Sequence, residues 1–232
     1  VRLGGELRLM KLWMWNLGWL VLGLAWLGPL PELAQVSFAA HMTLHMAVVA
    51  VASPLLAIAA SGTRLDPVRR VPSLFSPIPA SVGELLIVWA WHAPGLHHFA
   101  RHSLLGFVIE QSMFLAAGVW VWISAFGGSA PRSPSRSGAG VIGLLLTSMH
   151  MTLLGALLTL SPRLLYSHHH SVWLEPITDQ HLGGAVMLVV GGIAFLAGGL
   201  WLTKDLVGDG EKLSSRLAPA SFQRHFGSAP HE

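Results

Sequence analysis

Long apolar runs alternate with short polar connections along this chain. The runs extend from about Leu12 to Leu30, Val36 to Ala60, Ile78 to Trp91, Leu104 to Phe126, Val141 to Leu160 and Leu182 to Thr203. A helix needs about 20 apolar residues to cross a hydrocarbon core roughly 30 Å thick, so the pattern predicts an all-α, polytopic transmembrane helix bundle of about six spans. The third run is the shortest. Pro54 is expected to kink the second, and the glycine pairs of the sixth are expected to let helices pack closely in lipid. Residues 1–205 read as one transmembrane helical domain, and 206–232 as a charged cytoplasmic tail. A basic stretch before the first run has the outline of a secretory signal. The run is long for a signal core and no small-x-small pattern follows it cleanly, so an uncleaved first span is expected.

Composition agrees with the pattern. Charged residues make up 11% of the chain, where soluble domains average about 25%. The basic residues fall before span one, between spans two and three, between spans four and five, and after span six. The other connections hold only Arg101 and Arg163. The positive-inside rule then predicts both termini in the cytoplasm. The net charge of +3 is better read as topology than as affinity for nucleic acid. There is no Cys, which excludes disulfides and thiolate metal sites. Thirteen His stand against one Tyr, so the placement of the histidines carries the functional argument.

His41-Met42-Thr43-Leu44-His45-Met46 opens the second span. His41 and His45 lie one turn apart on one helix face, with Met42 and Met46 repeating the spacing beside them. Polar rings entering a bilayer span need a partner or a task. Imidazole and thioether are also ligands that suit copper, and thioether favours the cuprous ion. From the predicted topology, His41, His45, Glu110 and His150, with Met46, Met149 and Met151, reach similar depths on the outer side. His41, His45 and His150 are therefore the first candidates for metal ligands, with Met46 or Met149 as soft ligands. Glu110 would act as a countercharge or orient a histidine. His92, in Trp91-His92-Ala93-Pro94, and His181 would form an access route. His168-His169-His170 reads equally as a loosely recruiting loop or a defined site. Asp179 is a candidate cap for the helix that follows it. Glu84 is expected to be structural or interfacial, outside the outer site. Each of these also has a plainer reading as a packed or backbone-bonded side chain. Motifs for hydrolases, phosphate loops, zinc proteases and haem attachment are missing, which points away from an enzyme.

An ordered set of motifs adds to this. His-Met-x-x-His-Met at 41–46 precedes Pro54-Leu55-Leu56. Trp91-His92-x-Pro94 follows, then Glu110 with Phe114-Leu115-x-Ala117-Gly118 and Trp120 and Trp122. Met149-His150-Met151 leads to Leu154-Gly155 and Leu165-Tyr166, then Asp179-Gln180-x-Leu182-Gly183-Gly184 and Met187. Over roughly residues 36 to 200 the chain resembles the bacterial CtaG proteins of the caa3-type cytochrome c oxidase assembly family. An unrelated single-span copper chaperone shares that name but works through cysteines, which this chain lacks.

The resemblance implies a multi-pass protein of the bacterial cytoplasmic (inner) membrane that helps mature a haem–copper oxidase by handling copper. Its expected partners are an oxidase subunit, the lipid bilayer and a periplasmic copper donor. The expected cofactor is copper as Cu(I), and the expected role is an assembly factor or metallochaperone. The residues leave other readings open: a haem- or quinone-binding electron-transfer protein, a copper permease, or a metal-independent oxidase-associated subunit.

Overall fold

The computed structural model describes residues 2–128, 133–166 and 174–217. Among them the chain is helical, with no strand. Helix α1 (Arg2–Leu27) is followed across Gly28-Pro29 by the short α2 (Leu30–Val36), bent from it by 45°. The second long helix is continuous but not uniform. It runs as α3 (Phe38–Met46), a π-helical stretch at Ala47–Ala52, and α4 (Ser53–Ala60). Pro54 explains this local form, since its missing N–H and its ring disturb the preceding turn. The Ser53 hydroxyl donates to Val48 O at 2.8 Å within the widened turn. Pro54 thus yields a π segment in a continuous 23-residue span.

Helix α5 (Pro77–His92) has 16 residues, about 24 Å at the helical rise, and is short for a span. It ends where Ala93 takes an extended backbone ahead of Pro94, the first residue of α6 (Pro94–His102). Helix α6 is amphipathic: His97, Ala100 and Arg101 are buried, and Leu96, His98, Phe99 and His102 face outward. Then come α7 (Leu104–Phe126) and α8 (Pro134–Leu160), each started by a serine whose hydroxyl accepts a first-turn N–H. The last long helix is again interrupted: α9 (Pro176–Val186), a π-helical stretch at Met187–Gly191, and α10 (Gly192–Leu217). Helix α10 runs on past residue 205, so no helix end marks the expected boundary between domain and tail.

Four helices are long and apolar enough to cross a membrane, and the bent α1–α2 pair makes up to five. With the short α5 this accounts for the expected count of about six. Large apolar side chains are exposed along the helices, among them Trp13, Leu24, Leu160 and Trp201, as a lipid-facing surface requires. Helix α8 is central, packing against α5, α9 and α10, while α1 packs on α4 and α4 on α7. Gly155 and Gly184 show why glycine is needed at one crossing. A Cβ on Gly155 would stand 2.7 Å from Leu188 N, and one on Gly184 would stand 2.6 Å from Thr159 N.

The basic connections gather at one end of the bundle. Lys11 donates to Ser61 O. The Asp66 carboxylate accepts from Gly62, Val68 and Gly128 N–H at 2.7, 3.0 and 2.7 Å. Arg136 donates to Ser124 O at 3.2 Å. His41, His92, His97 and His102 lie toward the other end.

A buried histidine and carboxylate cluster

The site is built on the first turns of α3. Ser37 is extended and caps the helix, accepting from Ala40 N. Asp179 of α9 reaches across: its carboxylate accepts from the Ser37 hydroxyl at 2.7 Å, from Phe38 N at 2.6 Å and from Ala39 N at 3.3 Å. The expectation that Asp179 caps its own helix is corrected here. It caps α3, where the helix dipole favours a negative charge, and so fixes the start of the helix that carries His41 and His45.

His41 and His45 are buried, with their Nε2 atoms 2.8 Å apart. Glu110 of α7, also fully buried, places Oε1 at 3.7 Å from each of those nitrogens. That oxygen has no hydrogen-bond partner among the described residues. The circle through the three atoms has a radius of about 2.0 Å, which matches ordinary metal–imidazole and metal–carboxylate bond lengths. His97 of α6 joins them: ligand atoms of His41, His97 and Glu110 all lie within 4.8 Å of one another. Phe38, Tyr166 and His97 close the outer side, with Tyr166 stacked on Phe38 at 4.7 Å and against His97 at 4.3 Å. The Tyr166 hydroxyl donates to His92 O at 2.7 Å.

The surrounding hydrogen bonds specify tautomers. His92 Nδ1 donates to Val88 O at 2.7 Å, which leaves Nε2 as the lone-pair nitrogen. Among the described residues that buried Nε2 has no partner. A ring held this way is oriented as a ligand, and its centroid lies 5.9 Å from that of His45. His41 is held the other way. Arg101 Nη1 lies 2.6 Å from His41 Nδ1, and a guanidinium can only donate, so Nδ1 accepts and Nε2 carries the hydrogen. A cation on His41 Nε2 requires the opposite tautomer, so Arg101 must give way for it to load. Arg101 also donates to Ala34 O. Burial lowers its pKa to about 10, against the opposing pull of Glu110. Gln111 accepts from Trp26 Nε1 at 3.2 Å. Its amide nitrogen stands 3.2 Å from Glu110 Oε2 and 3.3 Å from His45 Nδ1.

The sequence candidates divide. His41, His45 and Glu110 come together, with His92 beside them. Met46 is buried but turned toward the π-helical stretch of the last helix, with Sδ 3.6 Å from where a Cβ on Gly191 would stand. Met149 is 60% exposed on the outer surface of α8, so it does not join the cluster. His150 faces Glu84 of α5 instead of His41 and His45, at 3.7 Å between Nε2 and Oε2. Glu84 is indeed outside the cluster, but it is fully buried within its helix and not interfacial. Half-buried His181 pairs its Nε2 with Ser161 O at 2.9 Å, apart from the cluster. His168, His169 and His170 lie outside the described residues. The sequence reading missed His97 and Arg101 as members. Their i, i+4 spacing on one face of a short helix was the available signal.

An apolar cleft of about 810 Å³ opens between α1, α4 and α7, lined by Trp15, Trp19, Trp26 and Trp120 among others, and by no histidine. Comparison with curated proteins and with solved structures yields no match. The sequence profile of one family, described as cytochrome c oxidase caa3 assembly factor, matches residues 1–208. The chain therefore belongs to the caa3-type cytochrome c oxidase assembly factor family.

Proposed function

We propose that this assembly factor binds one copper ion between His41, His45 and Glu110, with His97 and His92 at its margin, and passes it to a haem–copper oxidase subunit. The observation that carries the reading is the pair of equal 3.7 Å distances from an unpartnered, buried Glu110 oxygen to two imidazole nitrogens. A buried carboxylate oxygen without a donor is costly unless something positive completes it. Imidazole and carboxylate serve copper in either oxidation state. The thioethers that argued for Cu(I) lie outside this donor set. Arg101 gives the site a built-in competitor, a fixed cation that favours release, which a delivery site needs. The work would take place at the outer face of the bacterial cytoplasmic membrane, fed by a periplasmic copper donor.

A haem reading fits less well. For axial pairs on different helices, the His41 and His97 rings lie only 4.9 Å apart between centroids, and Phe114 packs on His45 at 4.3 Å and lies 6.2 Å from His92, where a macrocycle beside that pair would need room. The test is metal content by mass spectrometry on detergent-purified protein loaded anaerobically with cuprous ion and aerobically with cupric ion. Oxidase maturation is scored in cells carrying the same variants. The expected result is one copper lost in His41→Asn/His45→Asn together with oxidase maturation. A double variant that matures oxidase normally removes the proposal.

A further inference from the structure

A second polar pair lies deeper in the bundle. Glu84 stands eight residues before His92 on α5, roughly 12 Å along the helix at its rise per residue. Glu84 and His150 are almost wholly buried, at 0% and 2% exposure. All four of their polar side-chain atoms lack a hydrogen-bond partner among the described residues. Glu84 Oε2 and His150 Nε2 face each other at 3.7 Å, too far for a hydrogen bond. The separation equals that between Glu110 and each of its histidines, and two ligand atoms about 2.0 Å from a common ion can stand this far apart.

The neighbouring positions continue the same faces. Ser81 precedes Glu84 by three residues, and Thr147 precedes His150 by three, so each helix presents two polar groups one turn apart. The Thr147 hydroxyl gives its hydrogen to Ser81 Oγ at 2.9 Å. It therefore does not satisfy the carboxylate. Farther along, Gly143 lets the helices meet closely, since a Cβ there would lie 2.9 Å from Pro77 O. Ordinary packing would place apolar side chains at such an interface. Four facing polar groups, two of them unsatisfied, call for an occupant.

Charge selects the class of occupant. An ionised Glu84 beside a neutral His150 carries one negative charge, and no Lys or Arg belongs to this group. One monovalent cation makes the buried unit neutral. A divalent ion would leave a net positive charge within the bundle, which is far more costly there. We propose that Glu84 and His150 form a second cation site, distinct from the histidine cluster, that holds one monovalent ion such as the cuprous ion.

The experiment uses the full chain in detergent, titrated with Ag⁺ as a redox-inert monovalent probe, and bound ion is counted by mass spectrometry after desalting. The wild type is expected to hold two Ag⁺ per chain. Glu84→Gln and His150→Asn should each hold one. His41→Asn/His45→Asn should also hold one, and its combination with Glu84→Gln none. Thermal melts of Glu84→Gln confirm folding, and His150→Asn gives an independent route if one variant fails. A wild type binding one Ag⁺, insensitive to Glu84→Gln and His150→Asn, overturns this second site and leaves the histidine cluster standing. One Ag⁺ lost with Glu84→Gln but kept in His41→Asn/His45→Asn does the reverse. Stoichiometric Zn²⁺ retained at Glu84 in place of Ag⁺ overturns the monovalent assignment.

Discussion

Asp66 and Glu110 are buried almost equally, at 1% and 0% exposure, and their surroundings could hardly differ more. Asp66 accepts three backbone N–H groups from the two loops it joins. Glu110 has one amide donor on Oε2, and its Oε1 is met only by histidine nitrogens beyond hydrogen-bond range. One carboxylate has its hydrogen-bonding capacity spent on the fold. The other holds capacity in reserve. Burial alone therefore does not separate the two kinds of acid here, and the tally of satisfied atoms does. Asp179 falls with Asp66, bonded three ways to the start of α3. Glu84 falls with Glu110.

The comparison predicts opposite phenotypes at the two ends. The largest effect is expected at the ligands: His41→Asn/His45→Asn should weaken copper binding on the order of 1,000-fold, about 4 kcal/mol. Its melting temperature should stay near that of the wild type. Equilibrium competition with a chromogenic chelator reads the affinity. A loss under tenfold would place the ion elsewhere. Asp66→Ala should do the converse. Three N–H donors lose their acceptor, at about 3 kcal/mol of stability, while copper affinity stays within twofold. Denaturation in mixed micelles measures the first and the same competition assay the second.

Asp179→Ala tests whether a satisfied acid can still serve the site. Losing the cap on α3 should cost about 2 kcal/mol of stability. Because that helix carries His41 and His45, copper should also bind about tenfold more weakly. An unchanged affinity would mean that α3 is held by its packing alone. Arg101→Gln should move affinity the other way, tighter by about tenfold, or 1.4 kcal/mol. Removing the guanidinium removes both a competing charge and the donor that fixes His41 in the tautomer unsuited to Nε2 ligation. Weaker binding in this variant would show that Arg101 holds the site together and does not compete for it.

Much of this was legible in the sequence. Apolar runs located the second, third and fourth spans to within a few residues, while α1, α8 and the last helix extend six or more residues beyond theirs into polar sequence, and the i, i+4 spacing of His41 and His45 placed two ligand candidates on one face. The depth of Glu110 along its span brought it to the same level. Depth is one coordinate, however, and helix azimuth is another. His150 lies in the middle of α8, but α8 turns it toward α5, so its partner is Glu84 and not the histidine pair. Azimuth follows from which helices are neighbours, and six apolar runs of similar composition do not specify that. His97 was hidden for a related reason: it stands in a polar connection whose fold as a buried-faced helix depends on the bundle beneath it.

Methionine gives the finest test of the azimuth argument. Met149 and His150 are adjacent, so their side chains diverge by about 100° around α8. With His150 turned inward to Glu84, Met149 must face outward, and it is 60% exposed. Met149→Leu keeps the volume and apolar character of a lipid-facing position while removing the sulfur. It should change stability by less than about 0.5 kcal/mol and leave copper and Ag⁺ affinities within twofold. Met46→Leu, at a buried position beside Gly191, should cost up to about 1 kcal/mol through altered packing, with little change in copper affinity. A large loss of copper in Met149→Leu would require α8 to rotate by more than a quarter turn on loading. That rotation would also pull His150 away from Glu84, so the loaded wild type could then not hold the deeper Ag⁺ site. Two Ag⁺ held by the wild type and a large copper loss in Met149→Leu therefore exclude each other, and titrating the two proteins side by side checks the placement of both residues.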